Sequence, residues 1–228
     1  MIARKKEFYG GIGMIVAFFV VLAVMFMPVF KGHNALNYLD SLYNSISKGS
    51  AYYVPDVAKT TEGFRGKTVS VSLALDTDAQ ARQTASLFMA AGALVNNTGS
   101  NLKVSGDLAT ILAGCLKDAD DMYHNRGVAL SDRYGYPERQ ALFNWWTALK
   151  LMDKDLKAQK RFDAAKVISM VNSKAVETAY NYYRIEPQKI GDRLGTVIFS
   201  LIFYVLYTLW YGFGILFLFE GWGLRLEH

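Results

Sequence analysis

Two stretches of the chain are apolar without interruption. From Gly10 to Phe30, "GGIGMIVAFFVVLAVMFMPVF", and from Leu194 to Phe219, "LGTVIFSLIFYVLYTLWYGFGILFLF", no charged residue occurs. About 20 apolar residues suffice to cross roughly 30 Å of hydrocarbon as a helix. The second run has 26 residues. At 1.5 Å per residue that is about 39 Å, so tilt or projection beyond the lipid is expected. The first run follows Arg4, Lys5 and Lys6. It is longer than a signal-peptide core and no A-x-A-like site follows it, so it reads as an uncleaved anchor. Pro28 lies near its outer end, where a helix breaks at little cost. Trp210, Tyr211 and Trp222 suit an interfacial position.

Between these runs the pattern is that of a globular domain. Residues 34–48 place Leu36, Leu39, Leu42, Tyr43 and Ile46 at helical spacing, with Gly49 as a stop. Residues 50–66, punctuated by Pro55, Gly63 and Gly66, read as loop. "KTVSVSLALDT" alternates strictly, with Val69, Val71, Leu73 and Leu75 on one side, and predicts a half-buried strand. Thr77 or Asp76 then caps a helix from Asp78 to about Asn96, broken by Gly99. "NLKVSG" predicts a second short strand. Asp107 caps a helix with Leu108, Ile111, Leu112, Cys115, Leu116, Ala119 and Tyr123 on one stripe. Pro137 opens another, with Leu142, Trp145, Trp146, Leu149 and Met152 as its buried face. Residues 150–166, rich in both charges, read as a solvated face or turn, and a last helix is expected over 173–184.

The fold class that follows is a mainly α membrane protein. Two transmembrane helices flank a helical extracytoplasmic α+β domain with a small sheet. The expected divisions are a cytoplasmic N-terminus (1–9), a first span (10–30), an extracytoplasmic domain (31–193), a second span (194–219) and a cytoplasmic C-terminus (220–228). Leu226, Glu227 and His228 resemble the scar of a C-terminal tag and are set aside. Arg4, Lys5 and Lys6 direct the N-terminus to the cytoplasm, giving N-in and C-in in a bacterial inner membrane. With such short cytoplasmic parts, a stand-alone receptor with its own output domain is not expected. From Lys31 to Arg193, 21 Lys/Arg stand against 17 Asp/Glu. That mild excess is not the clustered basic surface of a nucleic-acid binder. The one cysteine, Cys115, excludes an intrachain disulfide.

Candidate sites follow from residues that break their surroundings. Thr196, Ser200, Tyr204, Tyr207, Thr208 and Tyr211 recur every three or four residues inside the second apolar run. Hydroxyls gain nothing from acyl chains, so this stripe is expected to face a helix, in this chain or a neighbour, or a pore. Gly10, Gly13 and Ala17, and Gly191 with Gly195, have the small-residue spacing that permits close helix packing. No charge lies within either span, which counts against a proton relay.

In "CLKDADDMYHNRG", Asp120 and His124 stand one helical turn apart and are a conceivable metal pair beside Asp118 and Asp121. A charged helix end is the simpler expectation, with His124 favourable near a C-terminus. His33 is isolated just outside the first span. No P-loop, nucleophile elbow, dinucleotide glycine pattern or paired catalytic carboxylates occur. No cofactor is expected. The sequence therefore predicts a non-catalytic membrane protein that self-assembles through its spans into a homo-oligomer, with a channel or translocation pore as one form of that assembly. Partners are the lipid bilayer and other membrane subunits, not nucleic acid. The alternatives are an accessory subunit of a larger transporter or respiratory complex, and an extracytoplasmic solute- or metal-binding module.

Overall fold

The computed structural model describes residues 2–30 and 32–224, so the expected tag scar at 226–228 lies outside it. In chain order the elements are α1 (Lys5–Phe26), α2 (Ala35–Ser50), α3 (Val54–Glu62), β1 (Thr68–Ala74), α4 (Asp78–Ala90), β2 (Leu94–Thr98), β3 (Asn101–Asp107), α5 (Leu108–Tyr123), α6 (Val128–Tyr134), α7 (Glu138–Ala158), α8 (Phe162–Val171), α9 (Thr178–Tyr182) and α10 (Leu194–Trp222). A π-helical turn, Asn172–Glu177, joins α8 to α9, and a 3-10 turn, Ile190–Arg193, precedes α10. The protein is mainly helical, with one small sheet. It divides into two compact units, residues 1–49 with 187–228, and residues 50–186.

The first unit is built on α1 and α10, both long and apolar enough to cross a membrane. Helix α1 ends at Phe26, four residues before the apolar run does. Met27 is extended (φ −73°, ψ 147°), as a residue before proline prefers. Helix α10 runs on to Trp222 and stops at Gly223, whose φ of 90° favours glycine. The two helices are antiparallel neighbours: Phe8 meets Gly221, and Phe18 stacks on Tyr207 at 4.2 Å. Helix α2 lies against them through a bond between the Tyr43 and Ser200 hydroxyls (2.6 Å).

The second unit holds a three-stranded antiparallel sheet, ordered β1-β3-β2. Strand β1 alternates as its sequence predicts, with Val69, Val71 and Leu73 buried. The caps also hold: Thr77 accepts from Gln80 N–H (3.1 Å) and Asp107 from Thr110 N–H (2.9 Å). The predicted α4 is too long. It stops at Ala90 because Gly92 turns the chain at φ 79°, and Leu94–Thr98 is a third strand. Gly99 is a hairpin-turn residue (φ 62°), not a helix breaker. The expected loop over 50–66 contains α3, which Pro55 opens from its first turn.

The charged stretch 150–166 is not simply a solvated face or turn. It ends α7, starts α8 and closes the outer edge of β1. Asp155 accepts from Ser72 N–H (3.2 Å), while Gln159 and Arg161 donate to the Ser70 and Thr68 carbonyls (2.9 and 3.0 Å). An open strand edge is a template for unwanted pairing, and these side chains occupy it. The helix expected over 173–184 is instead the π-turn followed by the short α9. Trp145 packs edge-on to Phe88 at the centre of the core (5.1 Å), and both are fully buried.

Candidate functional site

Most of the candidate residues lie on α1 and α10. Along a helix each residue turns about 100°, so a seven-residue step returns to within roughly 20° of its start. Ser200, Tyr207, Gly214 and Gly221 are related by such steps, and all four meet α1 or α2. Ser200 is buried and bonds Tyr43 as well as the Val197 carbonyl (2.8 Å). The Tyr207 hydroxyl donates to the Phe18 carbonyl (2.7 Å). Gly214 and Gly221 admit the partner helix. A Cβ built on Gly214 would lie 2.9 Å from Ile15, and one on Gly221 would collide with the Phe8 backbone. On α1 the matching position is Gly11, where a Cβ would lie 2.7 Å from the Leu218 nitrogen. The Trp210 indole N–H reaches the Met14 carbonyl (3.1 Å).

Of the six hydroxyl residues, Ser200, Tyr207 and Tyr211 meet α1 or α2. Tyr204 is 69% exposed, and Thr208, also exposed, bonds back to the Tyr204 carbonyl (2.8 Å). Thr196 is half-buried, and Tyr211 lies against Phe18 at 5.0 Å. The glycines singled out from spacing lie elsewhere than the seam: Cβ atoms on Gly10, Gly13, Gly191 and Gly195 would meet nothing within 4 Å. Ala17 is half-buried. Gly11, Gly214 and Gly221 are the packing residues that the small-residue spacing missed. The available signal was a seven-residue step, from Ser200 and Tyr207 to Gly214 and Gly221 on α10, and from Gly11 to Phe18 on α1.

In the second unit, Asp120 and His124 do meet, at 3.2 Å. However, Asp120 already accepts from the Tyr52 hydroxyl (2.5 Å) and the Arg126 guanidinium (2.8 Å). Burial, and then this bond, push the Tyr52 hydroxyl up to about 12. Among the described residues no group of three or more His, Cys, Asp and Glu is placed to hold a metal ion. Arg126 and Arg133 both reach Asp121 (3.1 and 3.5 Å). Asp118 is the deepest member. It is fully buried and accepts from the Trp145 indole (2.8 Å), the Tyr134 hydroxyl (2.6 Å) and Arg133. Burial raises its carboxyl above the usual range, against the pull of these donors. In the sequence Asp118 is only one acid among several.

One cavity in this unit, of about 340 Å³, is lined by Phe143, Trp146, Val176, Glu177, Tyr180 and Asn181, beside the π-turn. Glu177 accepts from the Trp146 indole (2.8 Å), and Lys150 lies 3.8 Å over the same ring. Trp145 and Trp146 thus divide the roles open to adjacent tryptophans, one in the core and one at a cavity wall. No family model, no curated protein and no solved structure matches the chain.

Proposed function

We propose that the chain is a non-catalytic protein of the bacterial inner membrane that self-assembles through the outer face of its helix pair. The observation that carries this reading is the division of small residues on α1. Gly11 is consumed against α10, while Gly10 and Gly13 face open space. Gly10, Gly13 and Ala17 fall within about 60° of one another on the helix. Helices in lipid associate by close packing rather than by hiding apolar surface, so this is where a second helix approaches most closely. The exposed Tyr204 hydroxyl on α10 adds a polar contact for such a neighbour. Ser200 and Tyr207 find partners inside the chain, which favours assembly over conduction.

The antiparallel pair also supports the topology. The Ala3 and Arg4 N–H groups bond the Gly221 carbonyl (both 3.0 Å), so the start of α1 and the end of α10 share a side. Arg4, Lys5 and Lys6 assign that side to the cytoplasm. Residues 50–186 are then extracytoplasmic.

The test is the mass of the purified chain in detergent, by native mass spectrometry. The reading expects a discrete homo-oligomer that Gly13→Leu with Gly195→Leu converts to monomer. A wild-type monomer overturns self-assembly. If mild extraction then yields a defined membrane partner, the chain is an accessory subunit.

A further inference from the structure

Two adjoining cavities in the first unit differ sharply in chemistry. The larger, about 380 Å³, lies among α1, α2 and α10 and is walled by apolar side chains, including Val21, Val24, Phe30, Phe199 and Phe203. Ser200 also lines it, but its hydroxyl is spent on Tyr43 and the Val197 carbonyl. The smaller, about 140 Å³, is lined by His33, Ser41, Ser45, Gln188 and Arg193, with Leu42. Tyr38 lines both, held by stacking on Phe30 at 5.4 Å. The polar cavity lies where α10 begins, beside Arg193, the residue before its first turn. Arg193 donates through Nε to Gln188 (2.8 Å), an anchor that leaves its Nη nitrogens for another acceptor. Asp192, in the same 3-10 turn, is not among the lining residues.

We propose that this pair of cavities seats one phospholipid, with an acyl chain in the apolar slot and the headgroup phosphate at Arg193 and His33. The inference rests on the membrane reading above. A free anion would use only the polar half, and a lipid without a phosphate would leave the guanidinium without an anion. A phospholipid matches both halves in one molecule. Basic pockets at the ends of paired membrane helices recognise anionic headgroups by charge-assisted hydrogen bonds.

The test is native mass spectrometry of the delipidated full-length chain. It is titrated with dioleoyl phosphatidylglycerol, dioleoylglycerol and inorganic phosphate. The proposal expects one phosphatidylglycerol to bind at least about tenfold more tightly than dioleoylglycerol, which has the same acyl chains and no phosphate, from charge-assisted bonds to the phosphate group. Arg193→Gln with His33→Gln should erase that preference. Ala35→Phe, which fills the slot, should weaken both lipids. Unchanged circular dichroism and elution volume establish that the variants fold. Equal binding of the two lipids, an unaffected double variant, or phosphate binding as tightly as phosphatidylglycerol overturns the proposal. Alkaline carbonate extraction of cells separates the two readings. Release of the chain overturns the membrane reading itself, whereas retention without lipid preference overturns only the site.

Discussion

Replacing Asp118 with alanine tests whether this carboxylate is the hub of the second unit. The substitution leaves three donors facing a void. The Trp145 indole N–H has no exposure to water, and losing the partner of a buried donor costs about 1–3 kcal/mol. The Tyr134 hydroxyl loses a 2.6 Å bond. Arg133 is 30% exposed and keeps Asp121 at 3.5 Å, so its own loss is the smallest. The carboxylate's desolvation, which raises its proton affinity, is relieved and offsets part of the cost. The net expectation is a loss of about 3 kcal/mol, at the lower end for breaking a buried ion pair. Hydrogen exchange of α5 and α7 amides in the full chain reads the stability of this unit locally. A loss of that size accelerates globally protected amides roughly a hundredfold. Trp145→Phe removes one of the three donors, and the double variant should show about 1 kcal/mol of coupling with Asp118→Ala. Additive effects, or a loss below about 1 kcal/mol, would refute the hub.

Two further outcomes follow from other contacts. Gly221→Ala places a methyl against the Phe8 backbone and should destabilise the helix pair by about 1–3 kcal/mol, whereas Gly212→Ala meets open space and should not; thermal melts in detergent compare them. The Glu138 carboxyl is held below its ordinary range by its own backbone N–H and then by the Tyr183 hydroxyl, with Ser131 and Arg184 adding to the effect. A lowered folded value means that its stabilisation is present above the unfolded value and is lost as pH falls through the folded one. Glu138→Gln should therefore flatten the acid limb of stability measured from pH 6 to 3, and an unchanged limb would count against the Glu138 contacts.

The parts of the fold legible in the sequence are those where a local rule has no competitor. The strict alternation of β1 and the Thr77 and Asp107 caps needed no tertiary knowledge. The errors fall where one signal outweighed another. Gly92 was a sufficient stop for α4, but apolar residues continued past it, and "LVNNT" is too short to show a period of two. Pro55 punctuates a loop and equally fits the first turn of a helix, and the sequence alone does not choose between them. Asp155, Gln159 and Arg161 look like solvated residues until β1 is placed beside them. Only then does a use for their side chains appear, because an edge's unmet donors and acceptors are not encoded near the residues that satisfy them.

The candidate site shows the same limit in a sharper form. Residues four apart on a helix advance by about 40° beyond a full turn, so Thr196, Ser200, Tyr204 and Thr208 precess through about 120°. A line that winds so far cannot lie on one straight neighbour, and the structure divides it: Ser200 is buried, while Tyr204 is 69% exposed. A seven-residue step drifts far less, and a shallow crossing of the two helices absorbs the drift. Counting sevens from Ser200 reaches Tyr207, Gly214 and Gly221, and on the opposing helix Gly11 leads to Phe18. Both series mix hydroxyl or aromatic residues with glycine, so neither residue class alone reveals them. The period identifies the seam, and residue chemistry only says how each position fills it. By the same arithmetic Gly10, Gly13 and Ala17 fall on a face of α1 away from Gly11. That is why the leucine substitution on α1 for self-assembly targets Gly13, while the alanine substitution for the intrachain seam targets Gly221.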